Sequence, residues 1–184
     1  MALNTAAMFA IKGKKVCLVD FDLRKGTLSH TVNAPRTGVT NYLIGSANLD
    51  EIVVKNVNDI PGFDIIPEGT RPPNPTELLL SGRTEEFLND LRSHYDYVIL
   101  DCPPVECVAD ARILNDYVDM TLFVIRAGLF ERANLPVLQR FYDTQRYKNM
   151  VLVLNATDGV HGVYGRYGYG YGYGYRSSDS KDSE

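Results

Sequence analysis

The stretch Val16-Cys17-Leu18-Val19-Asp20-Phe21-Asp22-Leu23-Arg24 decides how the chain is read. It opens with an apolar run and ends its candidate strand, residues 16–20, on a carboxylate. A second stretch, Val98-Ile99-Leu100-Asp101-Cys102-Pro103-Pro104, repeats the plan of apolar run, aspartate and turn, which predicts a strand over 97–101. Working outward, further short runs rich in β-branched or aromatic residues predict strands at 63–67, 120–126 and 150–155. Between the strands lie helical patterns at 3–11, 78–80, 83–94, 109–116 and 133–147. Continuously apolar strands joined by helical crossovers need cover on both sides. The expected fold is therefore α/β, a three-layer, mostly parallel sheet with helices on both faces.

Composition narrows the class. The chain has 184 residues, 45% of them hydrophobic and 23% charged, which suits one soluble domain able to bury a substantial core. Nineteen Lys+Arg against 23 Asp+Glu leave a formal charge of −4, and no basic block stands out, so no nucleic-acid partner is expected. Three cysteines, Cys17, Cys102 and Cys107, make neither a disulfide framework nor a four-ligand zinc site, and suit the cytoplasm. No run approaches the roughly 18 to 20 apolar residues that span a bilayer. The apolar run 6–11 is too short for a secretory signal, and its basic cluster Lys12, Lys14, Lys15 follows it instead of preceding it. Composition breaks once, which divides the chain into a domain over 1–160 and a flexible Tyr/Gly-rich tail over 161–184.

In open parallel sheets ligands bind beyond the carboxyl ends of the strands, and here those ends are acidic. If the chain stays extended after Asp20, then Asp20, Asp22 and Arg24 project on one face as a charged ledge. Crowded carboxylates repel unless a cation sits among them; Mg²⁺, with oxygen ligands and retained waters, is the simplest candidate, and Asp101 is its second-strand anchor. The plainer alternative is that these aspartates cap the turns that follow them, the preferred reading for Asp22 taken alone. Pro103-Pro104 fixes the backbone after Asp101 and holds its carboxylate at the strand tip. The loop 69–79 reads as a rigid turn into a helix with Asn74 as N-cap and Pro75 at its first position. Asn155 closes the last strand, either to read a base edge or as a turn residue. His30, His94 and His161 are scattered, and Cys102 reads as a small buried thiol.

These residues carry a resemblance. The segment 16–24 resembles the Walker A′ motif of the bacterial protein-tyrosine kinases (BY-kinases), and 98–104 resembles their Walker B motif. The loop Pro72-Pro73-Asn74-Pro75 with Glu77-Leu78-Leu79, the segments Val124-Ile125-Arg126-Ala127-Gly128 and Val153-Leu154-Asn155, and a tyrosine-rich C-terminus follow in the same order as in that family. Partition-type and septum-positioning ATPases share the two Walker-like strands; the tyrosine cluster separates the kinases from them. The resemblance implies a P-loop NTPase-like kinase domain that uses ATP and Mg²⁺ to phosphorylate tyrosines in the tail of a neighbouring copy, regulating export and polymerisation of capsular or exopolysaccharide. It implies Asp20, Asp22 and Asp101 as the catalytic carboxylates, with Asp20 and Asp22 managing Mg²⁺ and the attacking tyrosine hydroxyl, Asp101 holding Mg²⁺ through water, and Asp20 and Asp101 as the metal residues. Arg24 and Asn155 are the candidate cofactor-binding residues. The implied acceptors are Tyr164, Tyr167, Tyr169, Tyr171, Tyr173 and Tyr175. Implied partners are neighbouring copies in a ring-like homo-oligomer, a membrane-anchored polysaccharide co-polymerase region or activator, and a phosphotyrosine phosphatase. The implied location is the cytoplasm at the inner face of the membrane.

One departure stands out. No G-x-x-x-x-G-K-[ST] loop occurs in these residues, so the phosphate cradle and the strand that feeds it are expected to be missing ahead of the helix that begins near Asn4. The chain is expected to be the remainder of a kinase domain, truncated at its N-terminus and inactive alone. The rival readings are a partition-type regulatory ATPase and a non-catalytic interaction module with an adhesive tail.

Overall fold

The computed structural model describes residues 1–26, 28, 35–104 and 110–157. The six tail tyrosines, the domain boundary at 160, His30, His161 and Cys107 lie outside the described residues. The elements that position the site are α1 (Ala2–Ile11), β1 (Val16–Asp20), α2 (Val39–Leu43), α3 (Leu49–Ile52), β2 (Phe63–Ile66), α4 (Pro75–Leu79), α5 (Gly82–His94), β3 (Tyr97–Asp101), α6 (Asp110–Leu114), β4 (Thr121–Arg126), α7 (Leu135–Asp143) and β5 (Met150–Asn155).

β1 is central, paired in parallel with β2 on one side and β3 on the other. All five of its residues are buried, because its alternating side chains enter two different cores. Val16 and Leu18 face Ala6 and Ala10 of α1, whose small side chains, one turn apart, let the helix lie close to the sheet. Cys17 and Val19 face the opposite way, into Phe87, Leu88 and Leu91 of α5 and Val39 and Leu43 of α2. The result is helix, sheet, helix, as the apolar strands require. α1 ends where Gly13 takes a positive φ of 80° and its N–H donates to Ala10 O at 2.8 Å.

The expected parallel α/β arrangement is present, with two particulars. Among the described residues the strands form two ladders, β2-β1-β3 and β4-β5. In the second of these Leu122, Val124, Val151, Leu152 and Leu154 are all exposed. Their apolar pattern is that of a buried strand, so periodicity alone could not reveal that cover is absent among the described residues. Two helices also differ in extent. The pattern at 133–147 yields the shorter α7 behind a 3-10 turn at Arg132–Asn134, and the one at 78–80 belongs to α4, which starts at Pro75.

Candidate active site

Parallel pairing sets the site. β1 and β3 are in register from Val16↔Tyr97 to Asp20↔Asp101, so the two terminal aspartates stand side by side at the carboxyl ends of adjacent strands. The Phe21 N–H donates to Asp101 O at 2.9 Å, extending the ladder one step past the carboxylates. Asp20 is 1% exposed and Asp101 is half-buried. Burial pushes the Asp101 carboxyl above the ordinary carboxylate range, and neighbouring Asp20 and, more weakly, Asp22 push the same way. The Cys102 thiol is pushed up to about 12 by burial, then by Asp101, Asp110, Asp22 and Asp20. A thiol held in that state is a packed group and not a nucleophile.

Asp22 does not continue the strand. Its N–H donates to Asp20 Oδ1 at 3.2 Å, and its own Oδ1 accepts from the N–H groups of Arg24 (3.2 Å) and Lys25 (3.1 Å). The expected extended ledge is thus a tight turn, because a short carboxylate satisfies backbone donors better here than a further strand residue would. The Gly26 N–H closes the turn on Asp22 O at 2.9 Å. Gly26 has a φ of 47°, and a Cβ there would collide with the Glu68 carboxylate. Arg71, beside Glu68 at 3.5 Å, donates from Nη2 to Lys25 O at 2.8 Å and holds the turn from the β2 side.

Arg24, a candidate cofactor ligand, is engaged within the protein. Its Nε donates to Asp110 Oδ2 at 3.1 Å, and its Nη2 reaches Asp110 Oδ1 (3.4 Å) and Thr76 Oγ1 (3.2 Å). The Thr76 hydroxyl in turn donates to Asp110 Oδ1 at 3.1 Å. Asp110 is completely buried. Asn155 stands exposed on the other ladder, closing β5 at the register pair Arg126↔Asn155 with its carbonyl accepting from the Ala127 N–H at 2.9 Å. It is not hydrogen-bonded to the carboxylates. Sequence reasoning missed Asp110 and Thr76: an aspartate opening a short helix and a threonine after a proline look like ordinary capping residues.

Among the described residues no three or more His, Cys, Asp or Glu side chains come together as a ready metal cage. Asp20 and Asp101 are the oxygen donors that the register of β1 with β3 sets side by side. That suits Mg²⁺, which keeps several waters and uses one or two carboxylates, better than a fully dehydrated ion. Two open clefts lie away from the carboxylates, one lined by Arg112, Asp116 and Arg146, the other by Asp64, His94 and Tyr95. Tyr95 donates to Asp64 Oδ2 at 2.8 Å, Tyr42 donates to Asp90 Oδ2 at 3.1 Å, and Tyr97 stacks on Phe9, so these tyrosines serve packing.

Parallel strands between helices, ending in paired aspartates, define an α/β fold, which comparison with known proteins places among the P-loop NTPase-like folds. A family model described as an AAA domain matches residues 1–140. CpsD of Streptococcus agalactiae, a tyrosine-protein kinase, is 32% identical over 167 residues, covering 90% of this chain and 72% of CpsD. EpsB of Ralstonia solanacearum is 38% identical over 194 residues, covering all of this chain but 25% of EpsB, so the chain spans about a quarter of that relative. The kinase domain of the Escherichia coli tyrosine kinase ETK superposes with a TM-score of 0.73 at 32% identity, covering 92% of this chain and 65% of that one. At 18% identity the chain also shares its fold with the septum site-determining protein MinD of Pyrococcus horikoshii, solved with Mg-ADP (TM-score 0.62, covering 82% of this chain and 61% of that one). The chain belongs to the AAA-domain family and, within it, to the bacterial tyrosine-protein kinases.

Proposed function

We propose that this chain is the Mg²⁺-binding and tyrosine-accepting part of a protein-tyrosine kinase that phosphorylates its own C-terminal cluster in trans. The observation that carries the reading is the registered pair Asp20↔Asp101 with Asp22 in the turn beside it. Asp20 and Asp101 would hold Mg²⁺, which when bound supplies positive charge to the phosphates. In a loose phosphoryl-transfer transition state the protein mainly positions reactants and neutralises charge. The Asp22 carboxylate, steadied by two backbone N–H groups, orients the phenol and accepts its proton as the tyrosine oxygen bonds to the γ-phosphorus and the bond to the leaving ADP breaks.

Tyr164, Tyr167, Tyr169, Tyr171, Tyr173 and Tyr175 are the proposed acceptors. The 24 residues of 161–184 reach at most roughly 80 Å when extended, enough to enter a neighbouring subunit. The domain is proposed to span 1–160, to work at the inner face of the membrane in ring-like assemblies with a polysaccharide co-polymerase region, and to be reset by a phosphatase. Its glycine-rich phosphate loop is not among these 184 residues, so the chain alone is proposed to be inactive. No helix of the described residues is long and apolar enough to cross a membrane.

The test is phosphopeptide mass spectrometry on the full-length protein with Mg-ATP. Phosphate on the tail tyrosines, lost in Asp101→Asn by at least roughly a hundredfold, is the expected result. ATP hydrolysis without tail phosphate would assign a partition-type ATPase instead, and neither product would leave an interaction module.

A further inference from the structure

The buried Asp110 has no place in the chemistry proposed above, yet it is among the most completely buried charged groups described. A buried carboxylate needs charge compensation and hydrogen bonds, and both come from segments far apart in sequence. Arg24 comes from the turn after β1, at the position three residues beyond Phe21 and two beyond Asp22. Thr76 comes from the first turn of α4, and Asp110 itself opens α6. The three side chains close a triangle: Arg24 donates to Asp110 and to Thr76, and Thr76 donates to Asp110, with every link between 3.1 and 3.4 Å. The same turn positions Asp22 through the backbone N–H groups of Arg24 and Lys25. Whatever fixes Arg24 therefore fixes Asp22.

We propose that Asp110 is a positioning residue: through Arg24 and Thr76 it clamps the Asp22 turn to α4 and α6, so that Arg24 serves geometry and not nucleotide binding. The clamp rests on the kinase reading only for its kinetic consequence; the juxtaposition itself does not depend on it. Three features of the triangle support a locating role. Arginine's planar fork meets both carboxylate oxygens, a geometry that lysine cannot reproduce. The carboxylate is buried while 40% of the Arg24 side chain is exposed, so the fixed end of the tie is Asp110 and the adjustable end is the turn. Finally, Arg71 donates to the neighbouring carbonyl of Lys25, so the turn is pinned at two consecutive residues.

The test uses the full-length protein. Asp110→Asn is expected to lower kcat for tail phosphorylation roughly ten- to a hundredfold while KM for ATP stays within about twofold, since misplacing a positioned group costs rate more than ground-state binding. Arg24→Lys should recover part of what Arg24→Gln loses, and Arg24→Gln combined with Asp110→Asn should be no worse than either alone, because both remove one contact. A raised KM for ATP with kcat intact in Arg24→Gln would hand the guanidinium back to the nucleotide and end the proposal, as would additive losses.

Amide hydrogen exchange without nucleotide gives a readout that needs no catalysis. Asp110→Asn, or the milder Thr76→Val if the first variant does not fold, should lose protection in peptides spanning 20–26 while β1 and β2 keep theirs. Unchanged exchange at 20–26 overturns the clamp whatever the kinetics. If the wild type transfers no phosphate at all, the kinase reading falls and the exchange result alone decides the clamp.

Discussion

The two ladders of this molecule are built from the same kind of strand and treated in opposite ways. β1 has ladder partners on both sides and helices on both faces, and none of its residues exceeds 1% exposure. Among the described residues β5 has one partner, and Leu152 and Leu154 are 50% and 60% exposed. Sequence hydrophobicity does not separate the two; packing does. The difference teaches where a site can be precise: Asp20 and Asp101 stand on the ladder whose positions are over-determined, with Asp22 in the turn that follows β1, whereas Asn155 stands on the ladder that is not.

The largest effect that would break this contrast is in the core. Phe87 is fully buried, with its ring 5.0 Å from Tyr42 and 6.0 Å from Phe21 between centroids. Phe87→Ala should cost about 3–5 kcal/mol in urea unfolding. Leu152→Ala on the open ladder should cost less than about 1 kcal/mol, since that side chain is already half in water. Equal costs would mean that something covers β4 and β5 in solution.

A second experiment sharpens the electrostatic side. The Asp101 carboxyl is raised in the folded chain by burial and by Asp20, so the folded state takes up a proton at higher pH than the unfolded state does. Its ionised form therefore lowers stability, and the loss grows as pH rises from the ordinary carboxylate range of about 4 toward neutrality. Asp101→Asn should stabilise the protein without Mg²⁺ at pH 7, and the gain should vanish below about pH 4. Thermal melts at both pH values check this, and a gain that is the same at both would show the carboxyl to be unperturbed. Added Mg²⁺ should raise the melting temperature of the wild type and leave that of Asp101→Asn nearly unmoved.

The smallest effect concerns a tie leading from α5 toward β4. Arg92 donates to Tyr117 O and lies 3.8 Å from the exposed Asp119 carboxylate. Arg92→Ala should cost no more than about 1 kcal/mol in unfolding free energy, with the added exchange concentrated in β4 and β5.

Much of this was legible in the sequence, for definable reasons. Strands β1, β3 and β5 run over the residues their apolar patterns predict, because strand ends here coincide with aspartates, prolines or asparagine. The rule that ligand edges lie at carboxyl ends singled out Asp20 and Asp101, and the register of β1 with β3 is what pairs them. The fate of Asp22 and Arg24 did not, because whether a chain stays extended past a strand depends on which backbone donors a nearby carboxylate can satisfy. Asp110 was invisible for a related reason. Its importance lies in being enclosed by residues 34 and 86 positions away, and separation in sequence carries no trace of that.

The ladder step between Asp20 and Asp101 has a consequence for ion choice. Neighbouring parallel strands lie about 4.8 Å apart wherever they occur, so the gap between these two tips is gauged by main chain and not by side-chain preference. Variation around the edge can change what enters from solvent, yet it does not move the two strand tips apart, and the proposed Mg²⁺ would draw its protein oxygens from this pair.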